Sequence, residues 1–121
     1  MSQFNYASAA STVSLTASAS QASTVTGAAV DLLDYEGGVA IVQNHGLGTG
    51  TLDGKIQDSA DGSTGWADIT GAVFSQSTTT ADVKVLAINA KQVRRYIRYV
   101  GTIATGPHLV SVSLIGVKKS I

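Results

Sequence analysis

The sequence predicts an all-β fold: an antiparallel β-sandwich of jelly-roll or Ig-like type, with about eight short strands and an extended N-terminal arm. Three observations point there. Apolar and polar residues alternate with period two in several segments, as in half-buried strands. No segment sustains a 3.6-residue period. Ala, Ser, Thr, Val and Gly predominate, while the helix former Glu occurs once, at Glu36, a bias toward pleated and tightly packed structure. At 121 residues the chain fits one folded unit long enough to enclose a core without metal or disulfide support.

Residues 1–27 read as a Ser/Thr/Ala-rich arm that gains order by lying on something, or equally as an ordinary first strand with loops. It holds one short strand, where Val13 and Leu15 alternate with Ser14 and Thr16, and two aromatic anchors near its start, Phe4 and Tyr6. Residues 28–121 read as the sandwich. A short strand is expected over 28–33 and a turn over 34–38. Residues 39–43 (VAIVQ) form a β-branched strand bounded by glycines. Residues 44–50 (NHGLGTG), with three glycines, read as a loop. In 51–58, Leu52, Gly54 and Ile56 face one way and Asp53, Lys55 and Gln57 the other. The turn formers of 59–65 follow, then Trp66 and Ile69, then a short strand with Val73 and Phe74. Trp66, Ile69 and Phe74 are expected as core anchors. After a polar connection at 75–80, strands are expected over 83–88, 94–103 and 109–117. In the last, Val110, Val112 and Leu114 alternate with Ser111 and Ser113. Turn signals recur at the spacing of sandwiches and barrels.

Charge narrows the function. Eight basic residues balance eight acidic ones, whereas nucleic-acid binders carry a basic excess, so no nucleic-acid partner is expected. No apolar run approaches the roughly 18 residues of a membrane span, and the first 27 residues lack the basic start and apolar centre of a secretory signal. The charges are segregated: all acids lie between Asp31 and Asp82, and all bases but Lys55 follow from Lys84. Either the two sets pair inside one folded unit, or they form opposed faces that dock on other subunits.

No catalytic, cofactor or metal site is expected. There is no cysteine. His45 and His108 stand beside glycine or proline and read as solvated loop residues, short of a zinc ligand set. The glycines of GLGTG precede a strand, without the helix N-terminus that a phosphate loop requires. Asp58 and Asp61, with Asp53 or Asp68, depart from calcium-loop spacing and read as turn caps.

The distinctive run is 94–99, RRYIRY. In a strand, Arg94, Tyr96 and Arg98 share one face, and Arg95, Ile97 and Tyr99 the other. Arg beside Tyr is an interface composition. It equally suits an edge strand whose charges block wrong pairing; a stacking platform for single strands or sugars is the minor alternative. Arg94, Tyr96 and Arg98, with Phe4 and Tyr6, are the candidate contact residues.

The stretch TLDGKIQDSADGSTGWADITGAVF, followed by RRYIRYVGTI and a closing VSVSLIGVKKS, resembles small virion proteins of tailed bacteriophages, of the capsid decoration or cement type. The likeness covers residues 51–121, and the Ser/Thr-rich opening loosely. It implies a non-enzymatic β-sandwich on the outer capsid lattice, assembled in the host cytoplasm and often trimeric, whose partner is the major capsid protein. It would bridge neighbouring subunits and stabilise the assembled shell by mass action. Deleting the first dozen residues would then weaken attachment and leave the fold. The alternatives are a tail or head-completion protein, or a carbohydrate-binding jelly roll that stacks sugars on Tyr35, Tyr96 or Tyr99.

Overall fold

The computed structural model describes residues 10–33, 35 and 37–117. Phe4 and Tyr6 lie outside them. The described residues form nine strands and no helix: β1 (Ala10–Gln21), β2 (Val25–Thr26), β3 (Val30–Asp31), β4 (Gly38–Gly48), β5 (Leu52–Ser59), β6 (Ala67–Val73), β7 (Asp82–Asn89), β8 (Tyr96–Ile103) and β9 (His108–Val117). One sheet has the order β1-β9-β4-β7. The other runs β2-β8-β5-β6, with β3 beside β2 along the same edge of β8. Every pairing is antiparallel.

The order has a simple logic. β1 pairs with β9, β2 and β3 with β8, β4 with β7, and β5 with β6. The chain is thus one long antiparallel ribbon folded at the β5–β6 turn. Wrapping that ribbon on itself adds the β4–β9 and β5–β8 pairings. This is the jelly roll, two Greek keys with an edge strand broken into β2 and β3. It replaces the Ig-like alternative, whose sheets are built from different strand sets.

The core lies between the sheets and follows the alternation. Val39, Ile41, Leu52, Ile56, Ile97, Tyr99, Val110, Val112 and Leu114 point inward and are buried, and Phe74 packs edge-on to Tyr99 at 6.1 Å between ring centres. Ile69 sits at the margin of the core. The β5–β6 register slips between Lys55 and Gln57, and Gly71, in the bulged part of β6, takes a φ of +81° that only glycine adopts readily.

Several elements differ from expectation. The strand at Val13 and Leu15 runs for twelve residues and pairs with β9 along its length, with Leu15 buried in the core. Its Ser and Ala residues read as low complexity because small polar side chains carry little pattern. The loop expected over 44–50 is largely strand, since β4 continues to Gly48. The basic run lies on an interior strand, because β8 has β5 on one side and β2 and β3 on the other. The edge-strand reading therefore falls away. β8 also starts at Tyr96, so Arg94 and Arg95 precede it.

Candidate interaction surface

The β5–β6 turn orders one end of the five-stranded sheet. Asp61 accepts hydrogen bonds from the Ser63 and Thr64 amides at 3.0 and 2.9 Å and from the Thr64 hydroxyl at 2.8 Å. These donors favour the ionised form and hold the Asp61 carboxyl far below the usual carboxylate range. Asp61 is a turn cap, as its sequence context implied. No cluster of three His, Cys, Asp or Glu side chains able to hold a metal occurs among the described residues. Arg94 closes the same turn from β8's side. Its Nε donates to Asp58 at 2.9 Å, and one terminal nitrogen reaches the carbonyls of Asp58 and Gly65 at 2.7 and 2.8 Å.

Trp66 leaves this turn on the outer face of the sheet, where the sequence reading had placed it in the core. The register explains the position. Asp68 pairs with outward-facing Gln57, so Trp66, two residues earlier, falls on the same side. Its apolar surface is covered instead by Arg98, whose guanidinium carbon sits 4.4 Å from the ring centre. From there a polar row crosses the sheet. Arg98 Nε donates to Gln57 at 3.0 Å, Gln57 donates to Asp68 at 2.9 Å, and Lys55 Nζ meets the other Asp68 oxygen at 3.1 Å. The Gln57 amide, and after it the Lys55 ammonium, lower the Asp68 carboxyl below its usual range. Tyr96 also lies outward and packs against the turn. A Cβ at Gly62 would stand 2.9 Å from its ring.

Of the candidate contact residues, Tyr96 and Arg98 therefore share the outer face with Trp66, and Arg94 braces the adjoining turn. The segregated charges pair internally: Asp31 with Arg95 at 2.7 Å and Asp58 with Arg94 at 2.9 Å join early acids to late bases. The Arg95 guanidinium lowers the Asp31 carboxyl. Tyr35 and Tyr99, proposed with Tyr96 as a sugar platform, are buried in the core. Burial pushes the Tyr99 hydroxyl well above the usual phenol range.

The four-stranded sheet presents a different exterior. Outward positions are Val83, Val85 and Ala87 on β7, Ala40, Val42 and Asn44 on β4, and Leu109, Ser111, Ser113 and Ile115 on β9. The pairings Val85–Val42–Ser113 and Ala87–Ala40–Ile115 run straight across it. None of these side chains is charged, and Val83 and Val85 are 63% and 60% exposed.

The histidines correct the sequence reading most sharply. His45 lies on β4 and His108 opens β9; they are 3% and 0% exposed. His45 Nε2 and His108 Nδ1 stand 2.8 Å apart. A signal for this was present. His45 continues the inward series Val39, Ile41, Gln43, and His108 begins the series Val110, Val112, Leu114. Neighbouring glycines and a proline masked it.

No protein-family model matches the sequence, and no curated protein matches it. Solved structures are similar in fold. A SPBc2 prophage-derived protein, YomS, superposes with a TM-score of 0.59 at 11% identity, over 90% of this chain and 93% of that one. A chain from Bacillus endospore appendages, described as disulfide-linked pili, superposes with a TM-score of 0.51 at 13% identity, over 92% and 89%. The chain has the fold of these two proteins across nearly its whole length.

Proposed function

We propose that this chain is a non-enzymatic structural protein of a bacteriophage virion, of the capsid decoration type, which binds the outer capsid lattice and stabilises the head. The observation that carries this reading is the prearranged outer face of the β2-β8-β5-β6 sheet. Trp, Tyr and Arg are the residues that concentrate binding energy at protein interfaces. Here Trp66, Tyr96 and Arg98 are held in place by Gln57, Asp68 and the β5–β6 turn, so little side-chain entropy remains to be lost on contact. The likeness of 51–121 to phage decoration proteins and the fold shared with a prophage-derived protein support the same reading. A non-enzymatic role fits the histidines, which are buried and bonded to each other and to the carbonyls of Thr80 and Thr105. The uncharged outer face of the other sheet suits packing against copies of the chain, and we propose a trimer on the lattice.

The test is co-sedimentation of the purified chain with capsid shells that lack it. Saturable binding is expected, and Trp66→Ala should weaken it by about 2 kcal/mol, roughly thirtyfold. Equal binding by the variant would remove this face from the lattice contact. No binding to shells, with binding to a glycan array, would favour the carbohydrate reading.

A further inference from the structure

We infer that His45 and His108 form a buried site that binds one proton between the two rings. Both outer ring nitrogens face carbonyl oxygens: His45 Nδ1 lies 3.0 Å from Thr80 O, and His108 Nε2 lies 2.9 Å from Thr105 O. A carbonyl only accepts, so each of these nitrogens carries a hydrogen. If both rings were neutral, His45 Nε2 and His108 Nδ1 would then point lone pairs at each other across 2.8 Å. If both were cations, two N–H groups would collide. One shared proton satisfies all three contacts, and the pair is a single cation.

The surroundings accept one positive charge. On β7, Asp82 is the register partner of His45; its carboxylate takes the Ser77 hydroxyl at 3.2 Å and lies 3.4 Å from Lys84 Nζ. β1, β9 and the segment 104–107 contribute no other ionisable side chain among the described residues. Across the sandwich, Tyr99 on β8 keeps its proton and donates it to Gln43. Asp53 on β5 faces outward and accepts from Gln76.

Four parts of the fold meet at the pair: β4, β9, the β6–β7 connection through Thr80, and the β8–β9 turn through Thr105. Loss of the proton leaves two ring hydrogens for three contacts, so the pair must give up one of them: the bond between the rings or the tie to one of the two connections.

Proton counting gives an unusual signature. The native pair holds three ring protons. Two unfolded histidines hold four in acid and two in base, crossing three near pH 6.5. Stability therefore rises toward about pH 6.5 and falls above it, by about tenfold in the folding constant per pH unit, until the native pair releases its proton. Asp31, Asp61 and Asp68, whose carboxyls are lowered, titrate below this window.

The experiment is denaturant unfolding of the full chain from pH 5 to 9, with imidazole ¹⁵N spectra of the folded protein at pH 7. A bell centred near pH 6.5 and three ring N–H protons across the two rings are expected. In His45→Gln, the new amide can donate to His108 Nδ1, so no extra proton is needed and the alkaline fall should vanish. Stability that rises through neutrality and then levels, or two or four ring protons in the folded state, would overturn the inference. The spectra decide the matter even if the variant fails to fold.

Discussion

Gln43 shows how a single polar side chain is accommodated inside this sandwich. It is fully buried, and its Oε1 accepts the Tyr99 hydroxyl at 2.6 Å. Space for that contact comes from a glycine pair. Gly54 and Gly101 face each other across β5 and β8; a Cβ at Gly54 would stand 2.3 Å from Gln43 Oε1, and one at Gly101 2.8 Å from the Tyr99 hydroxyl. Tyr99→Phe keeps the ring and strands the acceptor. A loss of about 1–3 kcal/mol is expected in urea unfolding, and a neutral result would show that Gln43 finds another donor. In the alternation Val39, Ile41, Gln43, the position of the amide was legible. Its partner was not, because Tyr99 lies fifty-six residues away.

At the level of elements, the extension of β4 through Gly46 and Gly48 is the main departure from a local reading. Three glycines within five residues signal a loop when each is taken as a source of backbone freedom. Here Gly46 and Gly48 serve to leave room. A Cβ at Gly46 would meet the Leu109 side chain at 2.9 Å, and one at Gly48 would stand 2.1 Å from His108 Nδ1. Both strand positions carry side chains of β9 across them. Gly48→Ala must therefore displace the His108 ring and break its contact with His45. A loss of about 1–3 kcal/mol is expected, with faster amide hydrogen exchange confined first to the β4–β9 ladder. Full wild-type stability would mean that the ring shifts without cost.

For the whole molecule, the nested ribbon makes the first and last strands partners. β1 and β9 pair from Ala10 opposite Val117 to Gln21 opposite His108. Contacts so distant in sequence slow folding relative to a meander. They also make β1 part of the sheet. Removal of the first dozen residues would take three paired positions from β1, and removal of residues 1–21 would uncover the edge of β9 and the core around Leu15. The shorter chain 22–121 is expected to lose cooperative unfolding and to aggregate through that edge, as measured by calorimetry and light scattering. A sharp transition in the truncated chain would show that β1 is dispensable.

Period-two patterning was enough to read the class of fold and the strands of 51–58, 83–88 and 109–117, turn-forming residues marked the turn at 59–65, and apolar character marked the buried Phe74, because each depends on neighbours within a few residues. Which of Trp66, Tyr96 and Arg98 share an exterior, why β8 is interior, and why two histidines beside glycine and proline are buried together all depend on register and on the wrapping of the ribbon. Those are pairings between residues far apart in the chain, such as Val25 with Gly101 and His45 with His108. A local pattern says which side chains avoid water; only the folded sheets decide what each one meets there.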